Sequence, residues 1–306
     1  MQERKMDWDD LRVFLAVARG ESLTAAGRVL RIDPATVGRR VARLEGAMQA
    51  QLFAKSQGGY ALTDAGARLR DHAEAAEQAM TAAAEAMQGD QGLSGQIRIG
   101  APDGCANYLL PQVLTAICDA NPGLEVQIVA LPRVFNLSKR EADMAVAVSR
   151  PATGRVTAQK ITDYRLHLAA SRDYLARCGA PGGRADLRAH RLIGYIPDMI
   201  FDKELDYLAE AGLGAVPFAS NSVSVQLNWL RAGAGIGVVH DFALRAAPEL
   251  QRLLTDQVHL TRAFWLIRHE GDRRLARLNR FAGLLMAGLR AEVARLEALA
   301  EAPPHP

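Results

Sequence analysis

Cysteine is scarce in this 306-residue chain: Cys105, Cys118 and Cys178 are odd in number and far apart. That spacing argues against a disulfide framework and against a cysteine zinc site. No run approaches the roughly 18 consecutive apolar residues that a membrane-spanning helix needs. The start, Met1-Gln2-Glu3-Arg4-Lys5 leading into Asp7, Asp9 and Asp10, lacks the apolar core and cleavage site of a secretory signal. A cytoplasmic protein is therefore predicted, with no membrane partner. An excess of one charge is also lacking. The net charge is +3, so a nucleic-acid surface has to be found locally. There is no His-Glu-x-x-His pair, no Gly-x-Ser-x-Gly elbow and no phosphate-binding glycine loop. No enzyme activity, metal or cofactor is predicted. Gly233-Ala234-Gly235-Ile236-Gly237 resembles a nucleotide loop only superficially, because it precedes a strand-like run instead of opening a helix.

What is present is enough length for two or three folding units. Leu11, Phe14, Leu15 and Ala18 mark one buried helix face. Gly20 can stop that helix. Ser22 stands where an N-cap belongs, before a short helix whose packing side is read as Ala25, Ala26, Val29 and Leu30. After a turn at Arg31-Ile32, Asp33 and Pro34 suit the N-cap and first position of a third helix. Val37, Val41 and Leu44 share one side of it, and Thr36, Arg39, Arg40 and Arg43 another. A short helix, a tight turn and a helix with one apolar and one basic side form the helix-turn-helix pattern. A solvated basic face accounts for the arginines alone equally well. The following residues shift the balance. Leu52-Phe53-Ala54-Lys55 and Tyr60-Ala61-Leu62 read as strands around a Gln57-Gly58-Gly59 turn, which makes a wing. Glycines there permit positive φ and close approach of the backbone to phosphate.

From residue 63 to about 87 the chain is alanine-rich and free of proline, which favours one long helix. Leu62, Leu69, Ala76 and Ala83 recur every seven residues, as do Gly66, Ala73, Met80 and Met87. Two such series form a coiled-coil seam, or else one side of a helix packed on its own domain. Residues 88–95 are polar and glycine-rich and read as a linker. Beyond them, strand-like runs begin at Gln96, Leu124, Asp143, His167, Leu192, Ile236 and Phe264, and a helix is read from Tyr108 to Ala120. This alternation predicts an α/β domain with a mostly parallel sheet in two lobes. A last helix over about 274–300 carries Leu278, Phe281, Leu285 and Leu289 on one side.

Ser22-Leu23-Thr24-Ala25-Ala26, Asp33-Pro34-Ala35-Thr36-Val37, Arg43-Leu44-Glu45, Leu52-Phe53 and Leu62-Thr63-Asp64-Ala65-Gly66 occur in order and at matching spacing over more than 40 residues. In these the chain resembles the LysR-type transcriptional regulators. Asp33 and Gly38 depart from the residues usual in that family. Asn121-Pro122, Glu141-Ala142-Asp143-Met144-Ala145 and the glycine run at 233–237 extend a looser resemblance over nearly the whole chain.

The resemblance implies a winged helix-turn-helix DNA-binding domain over 6–66, a dimerisation linker helix over 63–88 and a hinge over 89–95. An effector-binding domain like a periplasmic binding protein follows over 96–300, with lobe I at about 96–162 and 264–300 and lobe II at about 163–263. It implies double-stranded DNA, a small-molecule effector, further copies of this chain (a dimer, and a tetramer of two dimers) and RNA polymerase as partners. Ala35, Thr36, Arg39 and Arg40, after Pro34, are expected in the groove. Ser22, Thr24, Arg43 and the wing residues Lys55, Gln57, Gly58 and Gly59 are expected on the backbone.

Ligands of open α/β sheets collect at the carboxyl ends of strands. Pro102, Asp103, Gly104 and Cys105 follow one strand, and Ser220, Asn221 and Ser222 follow another. With Ser149 and Tyr195 they form the expected effector site. Asp103 would repel a carboxylate ligand, so either the effector offers it an amine or hydroxyl, or Asp103 caps its helix and faces away. Cys105 reads as a small, partly buried thiol, and a redox sensor would need a neighbouring cysteine. Regulation is expected as a population shift in which cleft closure changes dimer association and hence the bend of the DNA. A binding protein or enzyme on the same fold is the main rival.

Overall fold

The computed structural model describes residues 6–56, 59–87, 92–130, 142–152, 155–210 and 216–301. They form two compact units. One contains the chain up to Met87 together with residues 269–279, and the other contains most of the remainder.

In the first unit, α1 (Trp8–Gly20), α2 (Leu23–Leu30) and α3 (Pro34–Met48) precede a hairpin, β1 (Phe53–Ser56) and β2 (Gly59–Leu62), and a long helix, α4 (Asp64–Met87). Leu11, Phe14, Leu15, Val37, Val41 and Leu44 share one core with Leu52, Phe53 and Ala73. Ser22 and Asp33 cap α2 and α3, accepting the N–H groups of Ala25 and Ala35. The turn out of α1 is not made by Gly20. Glu21 takes the left-handed conformation there, φ 50°, and its N–H closes onto the Val17 carbonyl. On α2, Val29 is 78% exposed. The packing stripe runs through Leu23, Ala26, Gly27 and Leu30 instead, because the 3.6-residue period turns Val29 about 110° from the middle of that stripe.

Two glycines mark close backbone contacts. Gly66 lies in the first turn of α4, where a Cβ would stand 2.1 Å from the Leu52 carbonyl oxygen. Thr63 caps the same turn, accepting the Gly66 N–H and donating to the Gln51 carbonyl. Gly59 has φ 119°, and a Cβ there would stand 2.3 Å from the Glu21 carbonyl oxygen. Gly59 also pairs with Ser56 across the hairpin, so it belongs to β2 and not to the turn; Gln57 and Gly58 lie outside the described residues.

In the second unit, nine strands of the described residues form one sheet. Its first half holds β3 (Gly95–Ala101), β4 (Leu124–Ala130) and β5 (Met144–Ala147), with α5 (Asp103–Tyr108) and α6 (Leu110–Asp119) between β3 and β4. The helix expected over 108–120 is α6, and the separate short helix α5 ends at Tyr108, ahead of Leu110-Pro111. Two long strands follow in the sheet order, β6 (Val156–Ser171) and, later in sequence, β11 (His259–His269). The other half holds α7 (Arg172–Cys178), β7 (Leu192–Gly194), α8 (Tyr207–Glu210), β8 (Phe218–Ala219), α9 (Val223–Arg231) and β9 (Ile236–His240), and β10 (Leu250–Leu253) pairs with β6. α10 (Ala276–Glu301) closes the chain.

The order is β4-β3-β5-β11-β6-β9-β7-β8. β3 runs parallel to β4 and β5, and β7 parallel to β8 and β9. β11 against β5 and β6 against β9 are antiparallel. The sheet is thus mixed, not mostly parallel. Each half is parallel because helices return the chain across its face, and the two long strands, continuous through both halves, run against their neighbours. The glycine run precedes β9, as its sequence position indicated.

Candidate functional site

On the first unit the exposed side of α3 carries Ala35 and Arg39, with Thr36 and Arg40 half-buried. Arg39 donates to the Thr36 hydroxyl at 2.8 Å, which orients its guanidinium along the helix. Arg40 stands 3.7 Å from the Asp9 carboxylate, a loose surface pair. Thr24 is exposed at the start of α2, and Lys55 is exposed on the wing with its ammonium 5.7 Å from the centre of the Tyr60 ring. Pro34 occupies the first position of α3.

Arg43 differs from the other arginines. Both ends of its guanidinium bond to Asp10, a carboxylate only 3% exposed. The pairing raises the Arg43 pKa and keeps that charge with the protein. A buried carboxylate needs such a partner. Sequence spacing alone did not disclose it, since the partner lies 33 residues away on α1. Glu45, in the same signature, accepts the N–H groups of Leu52 and Phe53 and so ties α3 to the wing. Ser22 uses its hydroxyl on Ala25, and Gly59 meets the Glu21 carbonyl.

On the second unit a cavity of about 20 Å³ lies where β3 ends and α9 begins. Of the nine residues expected to form the effector site, Pro102, Asp103, Gly104, Cys105, Tyr195 and Asn221 line it. Ser149, Ser220 and Ser222 do not. Ser149 donates to Asp202, and the Ser220 hydroxyl accepts the Ser222 N–H. Ser222 caps α9 through the Val225 N–H and donates to Asp103 at 3.0 Å. Short polar side chains beside a helix start are consumed by local backbone groups, and the cavity is left to larger residues.

Those larger residues were not anticipated: Tyr164, Tyr207, His240 and Phe264, with Val148, Phe201, Leu205 and Val223. They come from β6, α8, β9 and β11, and only the sheet order brings them together. Tyr164 stacks on Phe264, ring centres 4.2 Å apart, and on His240 at 5.5 Å. Burial pushes the Tyr164, Tyr195 and Tyr207 phenols upward in pKa. Burial also lowers His240 from 6.5 to about 4, so its ring is neutral at neutral pH. The thiol of Cys105 is likewise pushed up by burial, which leaves it a protonated, unreactive wall group. Arg262 lies over the outer side of Tyr207, 5.9 Å from its ring centre.

Asp103 stands in the cavity wall. It caps a helix, but not its own. Its Oδ2 accepts the Ser222 hydroxyl and the Ser224 N–H, 3.0 and 2.9 Å, at the start of α9, and Oδ1 accepts Asn107 at 2.9 Å.

No helix among the described residues is long and apolar enough to cross a membrane. No group of three or more His, Cys, Asp or Glu suited to a metal occurs among them either.

Residues 8–67 match the family model of the bacterial regulatory helix-turn-helix proteins of the lysR family, and residues 90–290 match that of the LysR substrate binding domain. The HTH-type transcriptional regulator DmlR of Escherichia coli is 27% identical over 246 residues, covering 75% of this chain and 76% of that one. The solved structure of CrgA, a LysR-type transcriptional regulator from Neisseria meningitidis, aligns over 93% of this chain and 99% of that one with a TM-score of 0.58 at 23% identity. A full-length OxyR variant from Pseudomonas aeruginosa aligns over 94% and 95% with a TM-score of 0.71 at 18% identity, a likeness of fold. With a helix-turn-helix domain ahead of a two-lobed substrate-binding domain, the chain belongs to the LysR family of DNA-binding transcriptional regulators.

Proposed function

We propose that the regulator reads its operator with the first half of α3 and receives its effector in the cavity between Asp103 and the tyrosines of the two sheet halves. Arg39 and Arg40 are the basic side chains of α3 left for base edges, where a guanidinium pairs with guanine in bidentate fashion. Ala35 and Thr36 sit beside them. Lys55, Thr24 and the wing lie against sugar-phosphate, which positions the head without specifying sequence. Arg43, 59% exposed while it pairs with Asp10, lies with them against the backbone.

The chain acts as a dimer joined through α4, and two dimers form the working tetramer. The exposure of Met80 and Met87 on the second half of α4 supports this, at 51% and 86%. The first half of the same heptad series, Leu69 and Ala73, packs into the winged domain. The protein works in the cytoplasm, without enzymatic activity, and passes its signal to RNA polymerase. Effector binding shifts the population between arrangements of the lobes and so changes the spacing of the DNA-binding heads.

The observation that carries this reading is the aromatic cavity lined from both halves of one sheet, with Asp103 reaching from one half to the helix start of the other. Hydroxyl-radical footprinting of the full chain on its operator, with and without an effector found by thermal-shift screening, tests it. A changed protected span is expected. An unchanged footprint with ligand bound overturns the mechanism.

A further inference from the structure

The start of α9 has the free N–H groups and positive dipole end that attract an anion. In this chain an internal anion is already there. The Asp103 carboxylate takes the Ser224 N–H and the Ser222 hydroxyl, and its second oxygen takes Asn107. A ligand carboxylate entering the cavity would meet a negative charge at the one place built to receive it. An amine gains little in return, because the Asp103 charge is answered by α9 and both of its oxygens are engaged.

The remaining walls are uncharged and ring-lined. Two buried polar atoms on them are poorly served by the protein. His240 Nδ1 finds no hydrogen-bond partner among the described residues, and Tyr164 Oη lies beside Tyr207 without a well-aligned one. His240 also reaches the Tyr207 hydroxyl through Nε2, at 3.5 Å. Buried polar atoms in this condition are costly and mark where a ligand supplies the missing group.

Space is the remaining requirement. About 20 Å³ holds no more than about one or two waters. A second cavity of about 240 Å³ adjoins it, lined in part by Ile193, Leu208 and Val238 and by one carboxylate, Asp206, and Tyr195 and Tyr207 line both. The two rings meet edge to face, 5.8 Å apart. Rotation of either phenol toward the larger cavity would join the two spaces.

From these observations we infer that the effector is a small, uncharged aromatic compound bearing a hydroxyl, carbonyl or amide group, admitted by displacement of Tyr195 or Tyr207, and that Asp103 excludes aromatic carboxylates. This rests on the reading of the cavity as the effector site.

Calorimetric titration of the full chain with benzyl alcohol, benzoate and benzylamine tests it, since compounds of about eight heavy atoms reach roughly millimolar affinity. Benzyl alcohol is expected to bind at least about tenfold more tightly than either ion. Asp103→Ala, which frees the α9 N–H groups, is expected to raise the affinity for benzoate relative to benzyl alcohol by at least about tenfold. Asp103→Asn keeps the acceptor at Ser224 and serves as the second variant if the alanine form fails to fold; it should also gain benzoate binding. Benzoate or benzylamine binding wild type as well as the alcohol does, or no gain in either variant, overturns the assignment of ligand class. Failure of all three probes to bind, or binding unaffected by Val148→Phe in the cavity wall, overturns the cavity as the effector site.

Discussion

Asp103 accepts the backbone N–H of Ser224 at 2.9 Å, from a position 121 residues earlier in the chain. The bond fastens a helix start in one half of the substrate-binding domain to the loop after β3 in the other. Hydrogen bonds to a charged group contribute about 1.5–3 kcal/mol. Opening of the two halves must break it.

Hydrogen exchange should register that fastening. In Asp103→Ala the amides over 223–226 are expected to exchange at least about tenfold faster than in wild type, while those of β6 stay protected. Equal protection at α9 in both proteins counts against Asp103 as a restraint between the halves.

His240 makes stability depend on pH. Burial holds it at about 4, below its ordinary 6.5, with Asp241 and Asp103 pulling the other way. Between those values the unfolded chain takes up a proton that the folded chain refuses. The residue therefore leaves stability untouched above about pH 6.5 and lowers it progressively as pH falls toward 4. At about 1.4 kcal/mol per unit, acidification from about pH 7 to pH 5 removes about 2 kcal/mol. Urea melts of His240→Phe should show a correspondingly shallower loss; an identical slope would exclude this account.

Arg40 and Arg43 should separate recognition from folding. Arg40→Ala is expected to weaken operator binding at least about tenfold in gel-shift titrations at fixed salt, with little change in melting temperature. Arg43→Ala strands the buried Asp10 carboxylate and should lower the melting temperature more than Arg40→Ala does. Adding Asp10→Asn to Arg43→Ala should recover part of that loss. A melting temperature unmoved by Arg43→Ala would show that Asp10 does without this partner.

Gly66→Ala places a methyl group against the Leu52 carbonyl and should cost about 1–3 kcal/mol in chemical denaturation. A change under about 0.5 kcal/mol would mean that the start of α4 adjusts freely.

Met80→Glu tests assembly. Light scattering of the purified chain is expected to give a lower mass than wild type, because charge enters the exposed part of the α4 seam. Unchanged mass would place self-association elsewhere.

The winged domain was largely legible in sequence because its determinants are local. Ser22 and Asp33 act within three residues of themselves, and the apolar periods of α1 and α3 need no knowledge of the rest of the chain. Arg43 and Gly59 escaped because their partners, Asp10 and the Glu21 carbonyl, lie on other elements. The cavity was half legible. Strand ends pointed to Pro102–Cys105 and Asn221, but Tyr164, Tyr207, His240 and Phe264 are spread over 100 residues. Their meeting depends on β6 and β11 running the length of the sheet, which apolar runs of four residues did not reveal. Ser149 and Ser220 had the chemistry of ligand contacts and are satisfied by Asp202 and by backbone.

The seating of the wing has one more consequence. Gly59 packs on the Glu21 carbonyl, the Tyr60 N–H bonds the same oxygen, and Glu45 grips the other strand's approach. Hairpin and recognition helix are thus parts of a single stamp with a set gap between them. In the proposed docking, an operator whose backbone spacing does not match that gap would have to change its own shape, and the energy of doing so would become a form of sequence discrimination at base pairs no side chain touches.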